Sequence, residues 1–288
     1  MDGMAGMDSY LYQKRLWINR IGLTLSMAAM AFGLAALLWI LWILFSRGFS
    51  VFNWDFFTKT TPAAGSAGGG MANAIVGSLM LIVATTVIST PIGILAGIYL
   101  AEYGDRSKFA SLTRFVTDIM LSAPSIIIGL FVWVLVVANM GNFSGWAGSV
   151  ALSLIAIPVV VRTTENMLRL VPSSLREAAF AVGAPRWRVS LAVTLRAVKA
   201  GVVTGVLLAI ARVSGETAPL LFTALNSQFF SFNMSTPMPN LPVAIYQFAM
   251  SPYDNWVDLA WGASLLIALF VLGINILARV LFRQKRQS

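Results

Sequence analysis

Six stretches of this chain, at about 22–45, 74–101, 115–138, 143–161, 200–222 and 259–278, are apolar over lengths that match a lipid bilayer. A hydrocarbon core takes roughly 20 helical residues, and each stretch reaches that length, the fourth narrowly. The charge content agrees. Only 11% of the 288 residues are charged and the mean hydropathy is +0.80, whereas soluble domains carry about a quarter charged residues. An all-α integral membrane protein with six transmembrane helices is expected. The first stretch is too long for the apolar region of a signal peptide, and "SRGFSVFNW" after it lacks a small-residue cleavage pattern. It is expected to be a retained helix.

The net charge of +9 describes topology rather than a nucleic-acid footprint. Lys14, Arg15 and Arg20 precede the first span, which places the N-terminus in the cytoplasm. All 20 basic residues except Arg47, Lys59 and Arg212 then fall on inner segments, Arg106, Arg283, Lys285 and Arg286 among them. That asymmetry puts both termini inside. The organisation expected is a cytoplasmic segment, 1–21, and one transmembrane domain, 22–288, with a cytoplasmic loop at about 162–199.

The inventory excludes much chemistry. There is no cysteine and no histidine, so thiolate chemistry, the commonest metal ligand and the commonest general base are absent. The 11 acidic residues are scattered. No catalytic residue, metal site or bound cofactor is expected. Nothing like GxxxxGK[ST] occurs, so the chain binds no nucleotide through such a loop.

Pro91 in "STPIGILAG" and Pro124 in "LSAPSIIIG" should kink the second and third spans. "PAAGSAGGGMAN", in the outer segment 46–73, reads as a flexible loop. Trp39, Trp42 and Trp146 suit interface or packing positions. Asp118, four residues after Arg114, reads as a carboxylate paired along a helix.

The inner loop carries "VPSSLREAAFAVGAPRWRVSLAVTL". Ser174 and Glu177 have capping-box spacing, Gly183 is placed to end that helix and Pro185 to begin another. Ala178, Ala179 and Phe180 would form a small apolar face suited to docking on a partner. Here the sequence resembles the permease subunits of ABC importers, whose mark is Glu-Ala-Ala, three residues, Gly, then nine residues before Ile-x-Leu-Pro. Glu177, Ala178, Ala179 and Gly183 match, as does Leu195. Val193 stands for the Ile, and Arg196 replaces the Pro.

A denser similarity, strongest from about 172 to 282, is carried by "REAAFAVGAPRW", "LLAIARVSGETAPLLFTAL", "NLPVAIYQFAMSP" and "INILARVLF". These stretches resemble the PstA-type permeases of bacterial phosphate importers. The resemblance implies a type I, MetI-like permease fold in the bacterial inner membrane. It also implies a PstC-type permease as heterodimer partner and a PstB-type ATPase dimer that uses ATP and Mg. A PstS-type binding protein would deliver phosphate from outside, and Glu177, Ala178, Ala179 and Gly183 would couple to the ATPase. A permease for another oxyanion, such as sulfate or molybdate, or an ATP-independent channel or secondary transporter remains the alternative.

"AIARVSGETAPLL" places two charges in the fifth span. A charge at mid-bilayer depth costs about 2.5–3.5 kcal/mol or more. In a helix starting near 200, Arg212 lies about 18 Å in, and Glu216 follows one turn later. Gly201, Gly205 and Ala209 allow close approach of another helix. The two charges either form an i,i+4 ion pair that pins the helix, or line an anion path in which the guanidinium grips substrate oxygens. In the resembled family the matching arginine is regarded as critical for transport, which favours Arg212. Arg162, at the inner end of the fourth span, either lines the exit or anchors the helix end by snorkelling.

Overall fold

The computed structural model describes residues 2–66, 68–104 and 107–281. Arg106, Arg283, Lys285, Arg286 and the C-terminus lie outside the described residues. Among the described residues there are helices and no strands. α1 (Asp2–Phe49) leads through α2 (Trp54–Thr58) to α3 (Ala72–Glu102). α4 (Lys108–Ser122) and α5 (Ser125–Met140) form a pair bent by 108°. Then come α6 (Gly145–Arg169) and α7 (Ser173–Ala181), followed by α8 (Arg186–Ala197) and α9 (Lys199–Val213), bent by 75°. α10 (Ala218–Thr223), α11 (Leu241–Ala249) and α12 (Asp254–Leu281) complete the chain.

Four helices, α1, α3, α6 and α12, are long and apolar enough to span a bilayer unbroken, and there are six spans if each bent pair counts as one. The third and fifth spans differ from the sequence expectation. Residues 115–122 belong to α4, which turns away at Ala123 and Pro124. Proline disfavours α-helical backbone in the residue before it, and Ala123 is extended, with ψ 135°. α5 alone covers only about 24 Å at 1.5 Å per residue. Pro91 behaves otherwise. It lies inside α3 without interrupting it.

The centre of the bundle is the α3–α6 pair. A Cβ built on Gly93 would lie 2.6 Å from the Cβ of Val160, and one on Gly97 would lie 2.6 Å from that of Thr164. Only glycine lets the two backbones come this close. Around that seam Leu81, Leu152, Ile155, Ala209, Val213 and Leu220 form the main apolar core. A second core, with Phe56, Met71, Leu241, Phe248 and Leu259, closes the end from which α3 and α6 start. α1 stands apart. It is exposed from Tyr10 to Trp42 and meets α12 where Gly48 packs on Leu265.

The described residues of the segment 46–73 are anchored at two points. Trp256 Nε1 donates to the Pro62 carbonyl at 3.2 Å and Asn255 Nδ2 to that of Ser66 at 2.8 Å. The loop before α11 is fixed by Asn240, whose amide accepts from Val243 N–H and donates to the carbonyls of Leu225 and Met238. At the other end of the bundle α3 and α6 finish, and there the basic residues of α4, α6, α7 and α8 gather.

Candidate functional site

Three charged arrangements stand out along the bundle. The first is the loop after α6. The helical part of the expected loop 162–199 begins as α6 itself, which continues to Arg169. α7 then starts at Ser173 with Pro172 in the cap position and no side-chain cap. The expected capping box is therefore absent: Ser174 sits inside the first turn rather than at the cap, where its hydroxyl would accept from a free N–H. The other end matches expectation. Gly183 takes φ +79°, its N–H bonds the Phe180 carbonyl at 2.9 Å, and Ala184 N–H bonds that of Ala179 at 3.2 Å. Those are the two bonds of a Schellman cap, with glycine at the left-handed position.

Glu177 and Ala178 are exposed and Ala179 is half-buried. Around them Leu175, Phe180 and Val182 are exposed apolar side chains. Arg176 points the other way. It bonds Glu102 at 3.1–3.3 Å and the carbonyls of Val171 and Leu168 at 2.6 and 2.8 Å. One guanidinium thus joins α7 to the ends of α3 and α6, so a force applied to α7 is passed to the bundle.

The second arrangement is on α9. Gly201 faces Met167 and Gly205 faces Thr163, so the small-residue face does seat a helix closely, and that helix is α6. Arg212 lies about 20 Å along α9. It is exposed and makes no ion pair or side-chain hydrogen bond with the described residues. The i,i+4 pair with Glu216, the first of the two readings, does not form because α9 stops at Val213. Pro219 would clash with the carbonyl of residue 215 in a continuing helix, and it sits instead in the first turn of α10. Glu216 occupies the intervening break, half-buried, with its N–H on the Val213 carbonyl at 3.2 Å.

The third arrangement was not anticipated from sequence. Glu165 is 1% exposed and receives three arginines. Arg114 Nε lies 2.7 Å from Oε1, Arg169 Nη2 2.8 Å from Oε1, and Arg162 Nη1 3.3 Å from Oε2. Arg114 also donates to the Leu100 carbonyl at 2.7 Å. Asp118 pairs with Arg162, not with Arg114 as the spacing suggested. The reason is geometric: Glu165 is the better-shielded acid and takes Arg114 across the α4–α6 contact. Arg162 is spent on Asp118 and Glu165, which favours anchoring over lining a path. The local signal was present in Arg162-x-x-Glu165-x-x-x-Arg169, an acid with bases three and four residues away on one helix face.

Comparison with known proteins fits this geometry. Residues 93–286 match the family described as binding-protein-dependent transport system inner membrane component. The phosphate transport system permease protein PstA of Yersinia pestis is 59% identical over 93% of this chain and 91% of its own length. Among solved structures, a bacterial alginate ABC transporter with its pentasaccharide-bound periplasmic protein aligns with TM-score 0.59 and 16% identity, covering 90% of this chain and 94% of that one. The MetNI methionine ABC transporter in an inward-facing conformation aligns with TM-score 0.55 and 21% identity, covering 73% and 92%. At those identities the structures establish the fold, that of an ABC importer permease.

The Glu165 arrangement sets a stability prediction. Glu165→Gln leaves three guanidinium groups around one neutral amide. Removing one partner of a buried ion pair costs about 3–5 kcal/mol, whereas Asp118→Asn breaks a half-exposed pair worth about 1 kcal/mol or less. Thermal unfolding in detergent should show a large drop for Glu165→Gln and almost none for Asp118→Asn. Equal midpoints for the two variants would show that the cluster does not hold α4.

Proposed function

Because this chain belongs to the PstA family of binding-protein-dependent transport permeases, we propose that it conducts inorganic phosphate inward across the bacterial cytoplasmic membrane. In this reading it is a transport subunit, and a separate ATPase hydrolyses ATP. A PstC-type permease completes the path as heterodimer partner, a PstB-type ATPase dimer docks on the α7 patch at the basic end, and a PstS-type protein delivers phosphate at the opposite end. The basic end faces the cytoplasm, consistent with the distribution of arginine and lysine.

The observation that carries this reading is Arg212. A cation at that depth must face water, a ligand or another protein surface, because lipid is too costly. The described residues of its own chain supply no acid, so the guanidinium is available, and its planar fork suits two oxygens of a phosphate. Its exposure on the single chain leaves the rest of the path to the second permease. Glu216, held beyond the helix end, makes no ion pair with Arg212. In the described conformation it does not serve as a resting partner for the guanidinium.

The α7 surface supports the coupling role. Glu177, Ala178 and Phe180 are presented on a helix whose end is fixed by Gly183, and Arg176 ties that helix to α3 and α6. Through Arg176 a force on this patch reaches α3 and α6.

Two outcomes follow for the assembled transporter. Gly183→Leu forces a side chain into left-handed backbone, at about 1–2 kcal/mol. The permease should still insert, while copurification of the ATPase and phosphate uptake both fall; survival of both would remove α7 as the docking element. Arg212→Gln should abolish uptake in a complex that still assembles. Arg212→Lys keeps the charge and loses the fork, a change worth roughly 1.5–3 kcal/mol, so uptake should fall on the order of ten- to a hundredfold. Near-normal uptake by Arg212→Gln would refute the anion contact.

A further inference from the structure

α8 serves neither the coupling patch nor the proposed path, yet it is built in an unusual way. It bends 75° from α9, so when α9 spans the bilayer α8 lies close to the membrane plane. Its inward side is Val189, Ser190 and Thr194, all buried. Its outward side carries Trp187, 57% exposed, and Leu191, 47% exposed, next to exposed Arg188 and Arg196. The Arg188 guanidinium stands 5.3 Å from the centre of the Trp187 ring. From Ala178 to Gly215 the chain has no acidic residue, and neither Arg188 nor Arg196 has an ion-pair partner among the described residues.

We propose that the outward face of α8 binds anionic phospholipid headgroups. Trp187 and Leu191 sit at the boundary between headgroups and acyl chains, where an amphipathic indole is favoured, while Arg188 and Arg196 hold lipid phosphates. A helix lying in the interface with apolar side chains beside unpaired cations is attracted both by buried apolar area and by anionic lipid. A neutral lipid surface satisfies the first half only. The cleft on the other side of α8 makes a useful contrast. It is a cavity of about 230 Å³ between α8, α7 and the end of α3, and it contains Glu102, already bonded to Arg176. That cleft brings its own counter-charge and belongs to the coupling side. The outward face receives none from the described residues, and its counter-charge is assigned to lipid.

The bend also gives the lipid contact a consequence. α8 leads directly into α9 and Arg212 through Val198, whose backbone (φ −110°, ψ 13°) makes the bend. Holding α8 at the surface therefore fixes the height of α9 in the bilayer.

The test uses the purified transporter complex in bilayer discs of phosphatidylcholine with or without phosphatidylglycerol. Lipids retained after mild detergent exchange are counted by native mass spectrometry. Wild type should keep phosphatidylglycerol in preference to phosphatidylcholine, and Arg188→Gln/Arg196→Gln should keep it about ten- to thirtyfold less well, since each surface cation near anionic lipid contributes roughly three- to fivefold. The absence of cysteine in this chain allows a second readout that needs no charge change. A spin label on Leu191→Cys, in a complex whose partners carry no accessible cysteine, should report headgroup depth in discs with phosphatidylglycerol. Equal lipid retention by the double variant, or a label fully accessible to aqueous quencher, would overturn the proposal. So would loss of the ATPase subunit from the double variant with lipid retention intact, because the face would then be a protein interface.

Discussion

A charge placed in hydrocarbon needs a counter-charge, water or a ligand, and this chain answers that requirement in two opposite ways. Glu165 is enclosed by three guanidinium groups on α4 and α6. Arg212, deeper along α9, receives nothing from the described residues of its own chain. The difference separates structure from function. A satisfied buried cluster gives α4 one position across the end of the bundle, while an unsatisfied cation keeps its binding capacity for something that arrives. Within the cluster the contributions are unequal. Arg114 is well shielded and short-bonded, whereas Arg169 is 53% exposed and contributes at the modest level of surface pairs.

The same end of the molecule carries a second polar joint. Arg176 reaches from α7 to Glu102, to the Leu168 carbonyl in the last turn of α6 and to the Val171 carbonyl just beyond it. α3 and α6 are joined in turn by glycine-mediated contact at Gly93 and Gly97. The docking patch, the ends of α3 and α6, and α4 thus form one connected body. The opposite end is held differently, by apolar packing around Phe56 and Phe248 and by the Asn240 cap. The basic end is assembled from charge and the other end from packing, which suits a transporter pushed from one side and loaded from the other.

Much of this was legible in the sequence, and what was not has physical causes. The spans follow from apolar length, and the end of α7 follows from Gly183 because only glycine takes that backbone cheaply. Pro124 marks the first bend. The second bend, at Val198, has no glycine or proline to announce it; it arises because Val189, Ser190 and Thr194 bury one side of α8 against the bundle. The break after Val213 falls inside the apolar stretch 200–222, whose length does not mark it; Pro219 sits in the first turn of the next helix. The Glu165 cluster depends on Arg114, which is 51 positions away in sequence, and no periodicity reports such a pairing. Arg212 was conspicuous from the start, since its cost in lipid is visible without a structure. Its lack of a partner was not.

The central claim is that Arg212 is kept unpaired in order to meet an anion, and phosphate uptake by the double variant Arg212→Gln/Glu216→Gln tests it most directly. Charge balance is preserved in that protein, so if the two residues only stabilise one another, neutralising both should restore assembly and transport together. The account predicts a complex that assembles with normal subunit ratios and carries no phosphate into vesicles. Transport at close to the wild-type rate would contradict it.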